Sequence, residues 1–171
     1  VDGEYYSYGP QNLTAVGDAL FFTADDGVHG EELWTSDGTE GGTVLVKDVQ
    51  PGDYDSSSDG LVDVGGTLFF SARDGVHGEE LWTSDGSEGG TVLVTDVRPG
   101  VGSSRPRYLT AVGSTVFFIA DDAVGAGLWS SDGSDAGTVK VKDVDAGGYY
   151  EEELPMAAAG GTLFFASDDV A

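Results

Sequence analysis

The sequence contains no cysteine, which excludes disulfides, zinc-thiolate sites and cysteine nucleophiles. Its absence leaves the compartment open, because secreted proteins of bacterial type also do without it. Basic residues are scarce: seven Lys and Arg stand against 31 Asp and Glu, for a formal net charge of −24. A phosphate backbone or an anionic lipid surface would be repelled before contact formed, so neither nucleic acid binding nor membrane insertion is expected. No apolar run approaches the ~18 residues that span a bilayer. Phosphate loops, dinucleotide fingerprints and nucleophile-elbow serines are missing too. The chain starts at Val1 rather than Met, so a leader or upstream domains are expected to have been removed.

What the chain has in excess is glycine, 28 of 171 residues. Together with 39% hydrophobic and 11% aromatic residues, this describes a folded, turn-rich protein. The sequence also repeats itself. Phe-Phe pairs fall at 21–22, 69–70, 117–118 and 164–165, spaced by 48, 48 and 47. Leu-Trp pairs at 33–34, 81–82 and 128–129 keep the same ruler, as do Asp37, Asp85 and Asp132, each followed by Gly. The run VLVKDV at 44–49 returns as VLVTDV at 92–97 and VKVKDV at 139–144.

Within one period the pattern predicts four short strands at 13–16, 19–24, 32–36 and 43–49, each bounded by Gly or Asp turns, and nowhere a helical period. The second and fourth are apolar on both faces, which predicts sheets covered on both sides. Four-stranded meanders recurring every ~40 to 50 residues are the signature of propeller blades. The expected fold is therefore all-β: blades of four antiparallel strands with a period of about 48, three complete and the first half of a fourth. Blade one covers 13–60, blade two 61–108 and blade three 109–155; 156–171 supply two strands of blade four, and 1–12 end a preceding crossover. Phe21, Phe22, Leu33, Trp34, Val44 and Val46, with their counterparts, are the expected inter-blade core.

Segments 31–52 (EELWTSDGTEGGTVLVKDVQPG) and 79–100 (EELWTSDGSEGGTVLVTDVRPG) resemble the ELWxxDGT repeat, found in tandem in large bacterial extracellular or surface proteins and regarded as propeller-like. The third copy, 126–147, departs by losing both Glu residues and the Pro. The resemblance covers nearly the whole chain. It implies a fold and an extracellular or cell-surface location; it does not imply an activity.

Fourteen strands are too few for a closed ring of ordinary size. The opening VDGEYY at 1–6 looks like the crossover VDAGGYY at 144–150, so the chain is expected to begin in mid-repeat. Its partners are then other blades of a longer parent chain, or further copies of itself associating head to tail.

In such blades the loop between strands two and three and the crossover to the next blade emerge at one end. Over 24–49 and 72–97 the first two repeats differ only at Asp25 versus Arg73, Thr39 versus Ser87 and Lys47 versus Thr95, whereas their crossovers differ throughout. Variation concentrated on one set of loops is where a fixed scaffold presents ligand contacts. The candidates are Tyr54, Tyr149 and Tyr150, together with Arg98, Arg105 and Arg107, which gather three of the seven basic residues in one crossover.

Asp25 and Asp26, Asp74, Asp121 and Asp122, and Asp168 and Asp169 recur at equivalent places. Calcium takes hard loop oxygens of this kind, though no EF-hand or nonapeptide spacing appears. Asx turns closing on backbone N–H groups are the competing role, and the favoured one. HGEE at 29–32 and 77–80 pairs His with carboxylates, but the third repeat replaces it with GAG, so His29 and His77 are expected to close a hairpin rather than to catalyse. One Trp per blade reads as packing between blades. The expected function is a non-enzymatic extracellular scaffold or binding module that uses its crossover loops for protein or glycan contact. A propeller hydrolase of glycosidase type, or a lectin, is the alternative.

Overall fold

The structure is a computed structural model that describes residues 9–144 and 156–166. The strands follow the repeat. Blade one is β1 (Gln11–Val16), β2 (Ala19–Asp25), β3 (Glu31–Ser36) and β4 (Val44–Lys47). Blade two is β5 (Asp59–Val64), β6 (Thr67–Arg73), β7 (Glu79–Ser84) and β8 (Val92–Thr95). Blade three is β9 (Arg107–Val112), β10 (Thr115–Asp121), β11 (Ala126–Ser131) and β12 (Val139–Asp143), and a hairpin of β13 (Met156–Ala159) and β14 (Thr162–Phe165) follows. No helix occurs among the described residues.

Each blade is an antiparallel meander in chain order, with Val16 opposite Ala19, Phe22 opposite Trp34 and Trp34 opposite Leu45 in blade one. The first strands of successive blades lie side by side: β1 against β5, β5 against β9, and β9 against β13. This is the arrangement of propeller blades, with the first strand innermost and the fourth at the rim. The first strands β1, β5 and β9 each carry an irregularity, around Asn12, Gly60 and Tyr108, whose φ values are 55°, 65° and 58°. The kink re-aims the start of the strand as the crossover enters it.

The core lies between blades. Phe21, Leu33, Val46 and Val49 of blade one close on Leu68, Phe70, Ala72 and Trp82 of blade two. Val64, Phe69, Leu81 and Val94 of blade two close on Val116, Phe118, Ala120 and Trp129 of blade three. Ile119 and Leu128 then receive Met156 and Leu163 of the hairpin.

The fourth strand departs from expectation. It stops at Lys47 instead of reaching 49, and Val44 is 45% exposed while Val46 is buried. Two causes account for this. The β3–β4 pairing jumps from Leu33 opposite Lys47 to Trp34 opposite Leu45, which leaves Val46 in a bulge and breaks the alternation. The strand also forms the outer edge of the sheet, so it is not covered on both faces as its apolar run suggested.

The β3–β4 turn repeats identically in the three blades. Asp37 Oδ1 accepts from Thr39 N and Oγ1 at 2.9 and 2.7 Å, and Ser36 Oγ meets Thr43 Oγ1 at 2.7 Å. Asp85 with Ser87 and Asp132 with Ser134 make the same bonds. These hydrogen bonds, led by the side-chain hydroxyl, hold all three aspartates below the usual carboxylate range.

Candidate functional site

The β2–β3 loops and the crossovers meet at one end of the array, built on two nested supports. The first lies inside the β2–β3 loop. Asp26 Oδ1 accepts from the backbone N–H groups of Val28 and His29, both at 2.9 Å, and its Oδ2 meets His29 Nδ1 at 2.8 Å. Asp74 repeats this with Val76, His77 and His77 Nδ1 at 2.9, 2.8 and 2.7 Å. Desolvation pushes both carboxyls up, but the histidine and backbone donors outweigh it and leave them lowered. Both imidazoles are raised, chiefly by the bond to their aspartate.

The second support joins loop to crossover. Ser56 N donates to Glu31 O and Arg73 N donates to Ser56 O, both at 3.0 Å, so one buried serine stitches blade one to blade two. Ser104 repeats the stitch, with Ser104 N to Glu79 O at 3.0 Å and Asp121 N to Ser104 O at 2.7 Å. Glu31 N is held by Asp55 Oδ1 at 2.8 Å and Glu79 N by Ser103 Oγ at 3.0 Å. The crossover passes so close to the β2–β3 loop that a Cβ on Gly30 would stand 2.6 Å from the Tyr54 carbonyl carbon. Both Gly30 and Gly78 sit at φ +71°. Only glycine meets both demands.

At the centre of this support are two fully buried glutamates. Glu32 accepts from Val49 N and Gln50 N, both at 3.1 Å, and so ends the fourth strand by drawing its backbone inward. Glu80 accepts from Val97 N at 3.2 Å and from Ser104 N and Oγ at 2.9 and 2.5 Å. Burial pushes both carboxyls up to about 7 against the pull of these donors. Nothing in the sequence singled them out from the exposed glutamates, because an HGEE loop reads as surface charge. The one hint was that blade three lacks both members of the pair.

In blade three Gly127 stands in place of the glutamate, and the Lys140 stem lies where a side chain at that position would go. Its Nζ pairs with Asp122 Oδ2 at 2.9 Å and with Asp143. Asp122 Oδ1 accepts from Val124 N and Gly125 N at 2.7 and 3.0 Å, so Lys140 takes the part that histidine plays in the other blades. The Lys140 bond, with the backbone donors, lowers Asp122.

These bonds give Asp26, Asp74 and Asp122 the Asx-turn role weighed against calcium, and Asp25 Oδ1 likewise accepts from Gly27 N at 2.7 Å. Asp121 pairs with Arg107 at 3.2 Å. No group of three or more His, Asp and Glu among the described residues is disposed to hold a metal ion. Asp168 and Asp169 lie outside the described residues.

Of the loop candidates, Tyr54 is 65% exposed. Arg98 and Arg105 are exposed on the second crossover, Arg98 folding back toward Ser103 O at 3.5 Å and Arg105 held at φ 51°. Arg107 is tied to Asp121, so the three arginines do not converge on one anion site. Tyr149 and Tyr150 lie outside the described residues. Val28, Val76, Val124 and Val101 are exposed at the tips of the same loops, which hydropathy alone would have placed in a core. A cavity of about 480 Å³ opens at the opposite end, between blades one and two, lined by Phe21, Asp37, Asp85 and Gly86 among others.

No family model matches the chain, and no curated protein matches it. Among solved structures it is similar to a puromycin hydrolase crystallised as a mutant in complex with PGG, at 15% identity and a TM-score of 0.37. The match covers 94% of this chain and 33% of the other, so the chain spans about a third of that protein's length. Hydrolysis belongs to that protein, and at this level of similarity no residue role transfers.

Proposed function

We propose that this chain is a stretch of a bacterial extracellular repeat scaffold of the ELWxxDGT kind, without catalytic activity, that presents its crossovers and β2–β3 loops to a protein or glycan partner. The observation that carries the reading is the combination of rigid bases and apolar tips. Ser56 and Ser104 fasten the crossovers by backbone bonds on both sides, while Tyr54, Val28, Val76 and Val101 stand exposed beyond them. Loops already fixed in place lose little conformational entropy on binding, and an exposed tyrosine offers a flat face to a sugar ring or to a protein side chain. The buried glutamates are engaged by backbone donors from their own blade, which suits a structural part better than a catalytic one. The extracellular location follows from the repeat resemblance.

Glycan-array binding, with a parallel turnover assay on glycan and ester libraries, tests this. Binding that is lost in Tyr54→Ala, with no turnover of any library member, is the expected result. Turnover that disappears in Glu32→Gln would overturn the non-enzymatic reading.

A further inference from the structure

The cavity of about 480 Å³ between blades one and two, at the end away from the crossovers, combines an apolar floor with an acidic mouth. Val16, Ala19 and Phe21 form the floor, where the Phe21 ring runs up against Gly86 of the next blade. Both walls belong to adjacent blades of this chain, so the cavity does not depend on what adjoins the first blade or the last hairpin. Ala19 and Gly66 are the residues that leave it open. At the joint between blades two and three the same places hold Thr67 and Ser114, whose larger side chains take up such room, and Thr returns at Thr115 and Thr162.

Asp37 of the β3–β4 turn and Asp85 of the β7–β8 turn line the mouth, and both are exposed. Their turn bonds run through Oδ1, to Thr39 N and Oγ1 and to Ser87 N and Oγ, so the second oxygen of each is the one a ligand would meet. Hydrogen bonds from hydroxyl and backbone, rather than a basic neighbour, hold both carboxyls low and ionised. No lysine or arginine lines the cavity. Among the described residues no third carboxylate or histidine joins the pair, so a hard divalent ion lacks the oxygens it needs. An ammonium group needs fewer. The chain already places one between two aspartates, since Lys140 Nζ pairs with Asp122 Oδ2 at 2.9 Å and with Asp143.

We propose that the cavity between blades one and two binds an alkylammonium group, its apolar stem on Val16, Ala19 and Phe21 and its charged head between Asp37 and Asp85. A free amine and the lysine side chain of a partner protein present the same chemistry. The net charge of −24 draws such cations toward the chain, while the floor selects those that carry an apolar stem. The site lies at the opposite end from the crossover loops, and its failure leaves their role untouched.

Two-dimensional NMR of the 171-residue chain tests this, by titration with pentylammonium chloride at fixed ionic strength, read at the Gly42 and Gly86 amides. Ammonium chloride supplies the charge without the stem, and 1-pentanol the stem without the charge. Saturable shifts with pentylammonium alone are the expected result. Asp85→Asn keeps the acceptor oxygen of the turn and removes the charge; Ala19→Thr fills the floor with the residue found in the other repeats, with Ala19→Ser in its place if that variant melts early. Each is expected to weaken binding by about fivefold or more. Nα-acetyl-lysine methylamide separates the sources: saturation by it as well supports a partner's lysine, and saturation by pentylammonium alone supports a free amine. Shifts that do not saturate, equal shifts with ammonium chloride, or unchanged affinity in either variant would overturn the proposal.

Discussion

Glu80 holds Ser104 twice, accepting from its backbone N–H at 2.9 Å and from its hydroxyl at 2.5 Å, across 24 residues of sequence. The bond ties the start of β7 to the crossover into the next blade. Ser104 in turn accepts from Asp121 N at 2.7 Å, so one carboxylate governs the link between blades two and three. Truncating it strips the half-buried N–H of Val97 of its acceptor and leaves the Ser104 N–H with the Glu79 carbonyl alone. Glu80→Ala is expected to cost about 2 to 4 kcal/mol in a chemical denaturation series. A loss under about 0.5 kcal/mol would mean that water or a backbone shift replaces the carboxylate.

The same carboxylates set a pH dependence. Glu32 and Glu80 titrate near 7 in the fold against 4.5 in the unfolded chain, so the folded state holds more protons between those values. Their contribution is full below pH 4.5 and is lost as pH rises through about 7. The lowered aspartates act elsewhere: Asp26, Asp74 and Asp122 contribute above 3.8, and that contribution goes only as pH falls below it. The melting temperature should therefore fall from pH 5 to pH 8, and the double variant Glu32→Gln, Glu80→Gln should flatten that fall. An equal slope in wild type and double variant would assign the fall instead to His29 and His77, whose raised imidazoles lose their aspartate-bonded stabilisation over the same range, and to general charge repulsion.

Gly30 and Gly27 provide a matched pair in one loop. Both have positive φ, +71° and +79°, but only at Gly30 does a Cβ meet the crossover backbone; at Gly27 it meets nothing within 4 Å. Gly27→Ala is expected to cost about 1 to 2 kcal/mol, the penalty of the left-handed backbone. Gly30→Ala adds displacement of Tyr54 and should cost clearly more by thermal melting. Equal costs would place the crossover farther from the loop than the geometry has it.

How far the sequence could be read depended on whether a signal recurred in side-chain type. The Phe-Phe and Leu-Trp rulers mark β2 and β3 in every blade, and Asp-Gly marks the β3–β4 turn, because packing and turn chemistry demand particular residues there. The kink in the first strands escaped notice because Asn12, Gly60 and Tyr108 share only a backbone angle. Val44 misled because its hydropathy matches that of Val46, and only the bulge separates their fates. Glu31 and Glu32 are adjacent and identical in type, yet the second is sealed beneath the crossover while the first faces Asp55, Asp59 and Asp25 and is raised by burial and by their charge. That difference depends on where residues 24 positions away return, which no local pattern records.

Salt should stabilise the chain, since 31 acidic residues face seven basic ones. Sodium chloride and calcium chloride at matched ionic strength are expected to raise the melting temperature alike, as screening requires. A markedly larger rise with calcium would identify a specific site in the Asp25, Asp26, Asp121 and Asp122 loops.

The account rests on the joint between blades, and one comparison isolates it. Gly38 and Gly86 occupy the same turn at φ +88° and +90°, but only Gly86 has a phenylalanine, Phe21, against it. Gly38→Ala reports the backbone cost alone, whereas Gly86→Ala adds the ring contact. Denaturation of both, with Gly86→Ala repeated in a Phe21→Leu background, forms a double-mutant cycle. The predicted result is an excess cost of about 1 kcal/mol at Gly86 that disappears once Phe21 is shortened. Equal costs at the two glycines, or an excess that persists in the Phe21→Leu chain, would contradict the stacking of the blades.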